Sequence, residues 1–454
     1  MKAVKYLYSV PDGNSFPSYR ASLGIFVHGR FFCFSLYVSK AEVSYKPLLF
    51  LYIKPNLRQY KLSKRKEKYD MSKHLDDYQQ TFPEFSEMLC FFEQQHAESQ
   101  WETCKVSDIR IAPLTKGAPI LDDTLSKFAP GVSREAVNDT IANLGLAAKI
   151  SGVARGKYFP VRNTAYKSLT GRASIQGTTL NRLPREKLAS VLNHCLSIYP
   201  KYKALVLVRD EKICAFHSGD PKDFSQLPIH ELLRATAEGI EDRFPDHEFD
   251  GGYTDHLNTL ASWRFPKQRD DLLQEYEDML NVTQKKRIHN LIPGIQFRTS
   301  DTGVSSAKVS ARLFGSSRPI YIGRVLAVAH RHNKQISEYR DNMQLIFAKF
   351  TDAVEKLKKL PGIRLDYPVN VMAAVCEKLK LPVQYGRDAI EMFEMIVNPA
   401  EATAHDVYFA LQEILFLRQA DGCPENILLE MEENIYRSLS MNWKAFDNGT
   451  RVKY

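Results

Sequence analysis

Cysteine is scarce in this 454-residue chain: there are seven, at 33, 90, 104, 195, 214, 376 and 423, and no CxxC pair. An odd count without framework spacing excludes a disulfide scaffold, so reduced thiols in a cytoplasmic setting are expected. Long apolar runs are missing too. The best candidate, Leu23 to Val38, is shorter than the ~20 residues a spanning helix needs and contains His28 and Arg30. Walker A, strand-linked GxGxxG, GxSxG, HExxH and zinc-type Cys/His spacings are all absent. Their absence sets aside the readily recognised nucleotide-binding, hydrolase and zinc classes, and neither a cofactor nor a metal is expected.

What is present is an uneven distribution of charge. The chain has 62 Lys plus Arg against 53 Asp plus Glu, a formal net charge of +9. Residues 1–70 hold 13 basic and 4 acidic groups, which leaves 49 against 49 in the remainder. Within that remainder, residues 149–187 carry 9 basic groups and only Glu186, and residues 298–334 carry 7 and only Asp301. Residues 401–436 have the opposite bias, with 8 acidic groups against Arg418. Segregation of this kind sets up local fields on a molecule that is neutral overall.

Residues 1–70 differ from the rest: they contain 8 of the 22 tyrosines and end in the lysine-rich run 61–68. Two strands near Gly24–Val27 and Phe31–Val38 are expected there. The shift in composition at Met71 suggests a basic, aromatic-rich extension outside the functional chain. Residues 71–150 read as helical and extended, with an amphipathic helix over 84–97 and another behind Ser133. Residues 151–334 read as a strand-rich core, in which Ala204–Val208 and Ile213–Phe216 form a hairpin around the four-residue loop Arg209-Asp210-Glu211-Lys212. Residues 335–454 read as helical, beginning with one helix of about seven turns up to Pro361-Gly362. Together these give an α+β fold: a mixed or antiparallel sheet body with a helical C-terminal region.

Several constellations bear on chemistry. Asp301-Thr302-Gly303 is the aspartic-protease triplet, but it occurs once and follows Arg298-Thr299-Ser300, so a tight turn is expected. His330 and His332 would share a face if their strand continued that far, and a metal would then need further ligands. His405, in the first turn of its helix, is expected at the surface. His217, Ser218 and Asp220 lie too close together in sequence to assemble a triad. Ser306, Lys308, Ser310 and Arg312 alternate with Ala307, Val309, Ala311 and Leu313. Their polar side reads either as a solvated face or, with Arg298, as a surface for phosphates. Lys157, Arg162 and Arg172, interleaved with Tyr158 and Tyr166, form a second candidate for binding nucleic acid.

Ala204–Lys212 running into Ala215–Asp220, then Phe249–His256, Gly294–Ser306 and Ala404–Tyr408, resemble a phage- and plasmid-borne family catalogued as domain of unknown function 932. The resemblance implies a mobile-element origin and leaves the activity open. Two functions are therefore carried forward. One is a non-enzymatic association with DNA or RNA. The other is a protein-interaction module that docks a host protein through the acidic helical segment 401–436.

Overall fold

The computed structural model describes residues 4–8, 19–27, 30–38, 73–151, 156–284, 291–303, 305–315, 319–332, 334–450 and 454. The chain divides into two compact units, Met1–Tyr69 and Asp70–Tyr454. In the first, β1 (Val4–Tyr8), β2 (Tyr19–Val27) and β3 (Arg30–Val38) form an antiparallel sheet in that order. The lysine-rich run 61–68 and Met71 lie outside the described residues.

The second unit is α+β and has two main apolar cores, which define a large and a small lobe. Strand β4 (Gln79–Phe82) and helix α1 (Phe85–Glu98) begin the large lobe. Met88 and Phe92 of α1 point into its core. The chain then builds the small lobe. Here β5 (Gln100–Lys105), β6 (Arg110–Pro113), α2 (Arg134–Ala142), β7 (Leu146–Lys149) and β8 (Tyr158–Pro160) are followed by α3 (Tyr166–Arg172) and α4 (Arg185–Ser197). The hairpin β9 (Lys203–Arg209) and β10 (Lys212–Ser218) completes it. Its two antiparallel sheets run β10-β9-β5 and β6-β7-β8. Leu188, Leu192 and Leu196 of α4 pack on Val206, Val208 and Phe216. The Ser133 hydroxyl accepts from Ala136 N at 3.2 Å, so the serine caps α2 as its position suggests.

Returning to the large lobe, α5 (Ile229–Arg243), β11 (Glu248–Asp255), β12 (Thr259–Arg264), α6 (Arg269–Gln284), β13 (Ile292–Thr299), β14 (Ala307–Phe314) and β15 (Ile320–Val328) follow in order. The large sheet is antiparallel throughout, β15-β14-β13-β12-β11-β4. Ala307, Val309, Ala311 and Leu313 of β14 are all fully buried, the alternation read from the sequence. The single long helix expected after residue 335 is instead two, α7 (Ile336–Met343) and α8 (Ile346–Lys358). Tyr339 of the first and Phe350 of the second lie in the same core on either side of the break at Gln344-Leu345. Helices α9 (Pro368–Lys378), α10 (Val383–Ile396), α11 (Ala404–Ala420) and α12 (Glu425–Tyr436) complete the fold. Sequence segments 71–150, 151–334 and 335–454 therefore share cores: β4 and α1 join the large sheet, while β5 joins the later hairpin.

Candidate nucleic-acid interface

Of the six cations singled out from the sequence, three are buried and bonded inside the protein, and this corrects the expectation of a free phosphate-binding surface. Arg312 pairs with Glu432 of α12 at 2.8 Å and donates a hydrogen bond to Gln296 Oε1 at 2.7 Å. Its guanidinium lies 4.9 Å over the Tyr321 ring. Arg298 donates twice to Asn258 Oδ1, at 3.0 and 2.8 Å. Burial lowers its pKa, and the α12 glutamates 425, 430, 432 and 433 oppose that effect. Lys308 is part-exposed and pairs with Glu433. The polar side of β14 is thus neutralised by the acidic helix more than 100 residues downstream. That contact also commits part of segment 401–436 to the interior.

Arg162 is fully buried between the lobes. It donates to Leu75 O at 3.0 Å and Lys73 O at 3.1 Å, and it meets His256 on the β11–β12 turn. Lys212, also fully buried, sits between Asp76 at 3.0 Å and Asp139. Tyr158 and Tyr166 pack against the small-lobe cores. Arg172 is half-buried, with burial lowering its pKa against the pull of Asp223. Lys157 alone of the six is fully at the surface, where it donates to Ser126 O at 2.6 Å.

The hairpin tip explains this buried network. Lys212 pairs directly with Arg209, so the loop has two residues rather than the four expected. Asp210 (φ 50°) and Glu211 (φ 66°) occupy the left-handed region of a type I′ turn, normally an Asn-Gly position. Each non-glycine residue held there costs about 1–3 kcal/mol. The surroundings hold them in place: Asp210 lies 3.9 Å from Arg162, and Glu211 accepts from Ser133 N at 2.8 Å.

Asp301 is a turn residue, as read. Its carboxylate accepts from the buried Arg209, and its carbonyl meets His217 Nε2 at 3.0 Å. Gly303 has φ +76°, and a Cβ there would lie 3.1 Å from the His217 ring. His217 stacks on Phe224 at 3.5 Å, and burial, opposed by Asp301, takes its pKa down to about 4. His330 lies beyond the end of β15, and His332 has φ 61°, so the two do not share a strand face. Among the described residues no three His, Cys, Asp or Glu side chains gather to hold a metal. His405 is buried rather than exposed, with its Nε2 2.6 Å from the Tyr276 hydroxyl.

The sequence reading missed a different surface. Residues 100–203 hold 16 Lys/Arg against 7 Asp/Glu. On the β5–β9 pair, Lys105 lies directly opposite Lys203. Both are exposed, with no ion-pair partner among the described residues. Like charges opposed in this way are destabilising. Lys201 and Tyr202 adjoin them; Tyr202 is 58 % exposed and stacks on Tyr199 at 5.1 Å. Strand alternation puts Lys105, Thr103 and Trp101 on one face of the edge strand β5. Beside Trp101, a cleft of about 40 Å³ is lined by Gln95, Arg209, Phe224, Asp301 and His330. The signal for this surface was in the sequence, as Lys201-Tyr202-Lys203, but its partner Lys105 becomes visible only through the register.

No protein family, no curated protein and no solved structure matches the chain. Among the described residues no helix is long and apolar enough to cross a membrane.

Proposed function

We propose that this is a nucleic-acid-associated protein of a phage- or plasmid-type mobile element, acting in the cytoplasm by binding rather than by catalysis. The observation that carries the binding is the opposed pair Lys105 and Lys203, with no ion-pair partner among the described residues, beside Lys201 and the exposed Tyr202. Cations that track a backbone next to open aromatic rings are the common means of holding single strands without sequence preference. The mobile-element part rests on the family resemblance alone. The test is the salt dependence of single-strand binding by the full chain. Lys105→Glu with Lys203→Glu is expected to flatten the slope of log affinity against log salt by about 1.4, roughly 0.7 for each cation. An unchanged slope removes this surface from the reading.

A protein-interaction reading through α10, rather than through the acidic segment 401–436, is favoured by one observation. Met392, Met395 and Ile396 of α10 are exposed together beside Glu391 and Glu394, which suits an apolar, basic segment of a host protein. A Met395→Glu chain that still captures the same partner eliminates it.

A further inference from the structure

We infer that the cleft beside Trp101 takes the edge of one unpaired nucleobase of a single strand lying along β5. This deepens the nucleic-acid reading above and rests on it. Trp101 and Lys105 lie on the same face of β5, four residues apart, or about 13 Å at the usual strand rise. A strand whose phosphates meet Lys105 and Lys203 therefore passes the mouth of the cleft within a few nucleotides.

The lining matches a flat heterocycle with mixed polar edges. Trp101 and Phe224 lie 6.0 Å apart with planes 30° apart, and Phe224 and His330 lie 6.0 Å apart with planes 9° apart. These rings give the walls an aromatic character suited to stacking. The polar groups are few and of both kinds. Gln95 Oε1 is taken by Arg209 Nη1 at 3.2 Å, which leaves the Gln95 amide NH₂ as donor. Asp301 uses Oδ2 for Arg209, which leaves Oδ1 as acceptor.

His330 is 6 % exposed and lines the cleft, and its Nε2 meets Thr299 Oγ1 at 3.2 Å. The cleft has room for a few waters or for the inserted edge of a ring. A free anion is disfavoured, because Asp301 already neutralises Arg209 at the same place. Base edges carry donors and acceptors side by side, as this lining does.

The experiment compares short oligo(dT) with an abasic oligomer of equal length, both titrated into the full chain. Tryptophan fluorescence is a direct readout, since Trp263 and Trp443 are each 1 % exposed and only Trp101 is within reach of a ligand. Oligo(dT) is expected to quench the emission and to bind about tenfold more tightly than the abasic strand, as one stacked base would give. Trp101→Ala is expected to erase that preference while leaving abasic binding intact, and Trp101→Phe to keep most of it. Equal binding of the two oligomers without quenching overturns the base seat and leaves the lysine surface standing. A preference that survives Trp101→Ala also overturns it. If neither oligomer binds at low salt, both the seat and the nucleic-acid reading fall.

Discussion

On β13 and β14 the cations have partners within the protein: Lys308 has Glu433, Arg312 has Glu432, and Arg298 has Asn258. On β5 and β9, Lys105 and Lys203 face one another with solvent around them and no carboxylate partner among the described residues. Both surfaces come from basic stretches, and in the linear sequence the β14 stretch is the more conspicuous. The contrast shows that a run of like charge in a sequence says little about the field it produces. What matters is whether a distant segment of opposite charge packs onto it, as α12 does here. A cation neutralised inside the fold contributes to stability, whereas one left opposed to its own kind remains available to an external anion.

The comparison is broken most directly at Arg312. Its ion pair with Glu432 is buried on both sides, so Arg312→Ala takes one member of a buried ion pair out of the interior. Removing one partner of such a pair costs about 3–5 kcal/mol. We expect a loss of that size in urea unfolding, against no more than about 0.5 kcal/mol for Lys157→Ala at the surface. Similar small losses for both changes would mean that α12 does not neutralise β14, and the distinction between the two surfaces would disappear.

Much of the architecture was legible from the chain because the signals were local. The β14 alternation, the helix behind Ser133, the hairpin around residue 210 and the helical C-terminal region all follow from periodicity and turn chemistry. The candidate site was not legible, because its meaning depends on long-range partners. Nothing near Arg312 in sequence announces Glu432, and nothing near Lys105 announces Lys203. Arg162 shows the same limit. It sits in a basic, aromatic stretch that reads as a surface, yet it is fully buried between the lobes with Lys73, Leu75 and His256 around it. His405 misled for a related reason: a first-turn position is exposed on an isolated helix, but Tyr276 of α6 covers it here. The two-residue hairpin loop escaped because Asp-Glu rarely takes a left-handed turn, and contacts with the buried Arg162 and Arg209, with His74 and with Ser133 surround it there.

The boundary between the lobes makes the next largest prediction, one of pH. His217 is held neutral by burial at a pKa of about 4, against 6.5 in the unfolded chain, and His256 and His330 are lowered as well, chiefly by burial. Below pH 6.5 the unfolded chain therefore takes up protons that the folded chain does not, and stability falls as pH falls. For His217 alone the loss approaches about 3 kcal/mol by pH 4. Unfolding free energies measured from pH 7 to pH 4 should decline across that window, and His217→Phe should reduce the decline. A flat profile would mean that the imidazoles are already hydrated, with the interface between the lobes open.

The smallest expected effect is the most discriminating, because its sign differs between the two surfaces. Lys105→Glu places a carboxylate directly opposite Lys203 and converts a repulsive cross-strand pair into an attractive one. Opposite charges paired across strands stabilise by roughly 0.2–1 kcal/mol, and like charges cost a similar amount. The variant should therefore unfold at slightly higher urea than the natural chain, whereas Lys308→Glu, which faces Glu433, should unfold at lower urea. The same Lys105→Glu change should weaken single-strand binding and reduce its salt slope by at least the roughly 0.7 of one lost cation. A substitution that strengthens the fold while weakening the contact identifies a residue retained for what it binds. If Lys105→Glu destabilises the protein instead, Lys105 already contributes to the fold, and the contrast with β14 fails at its central point.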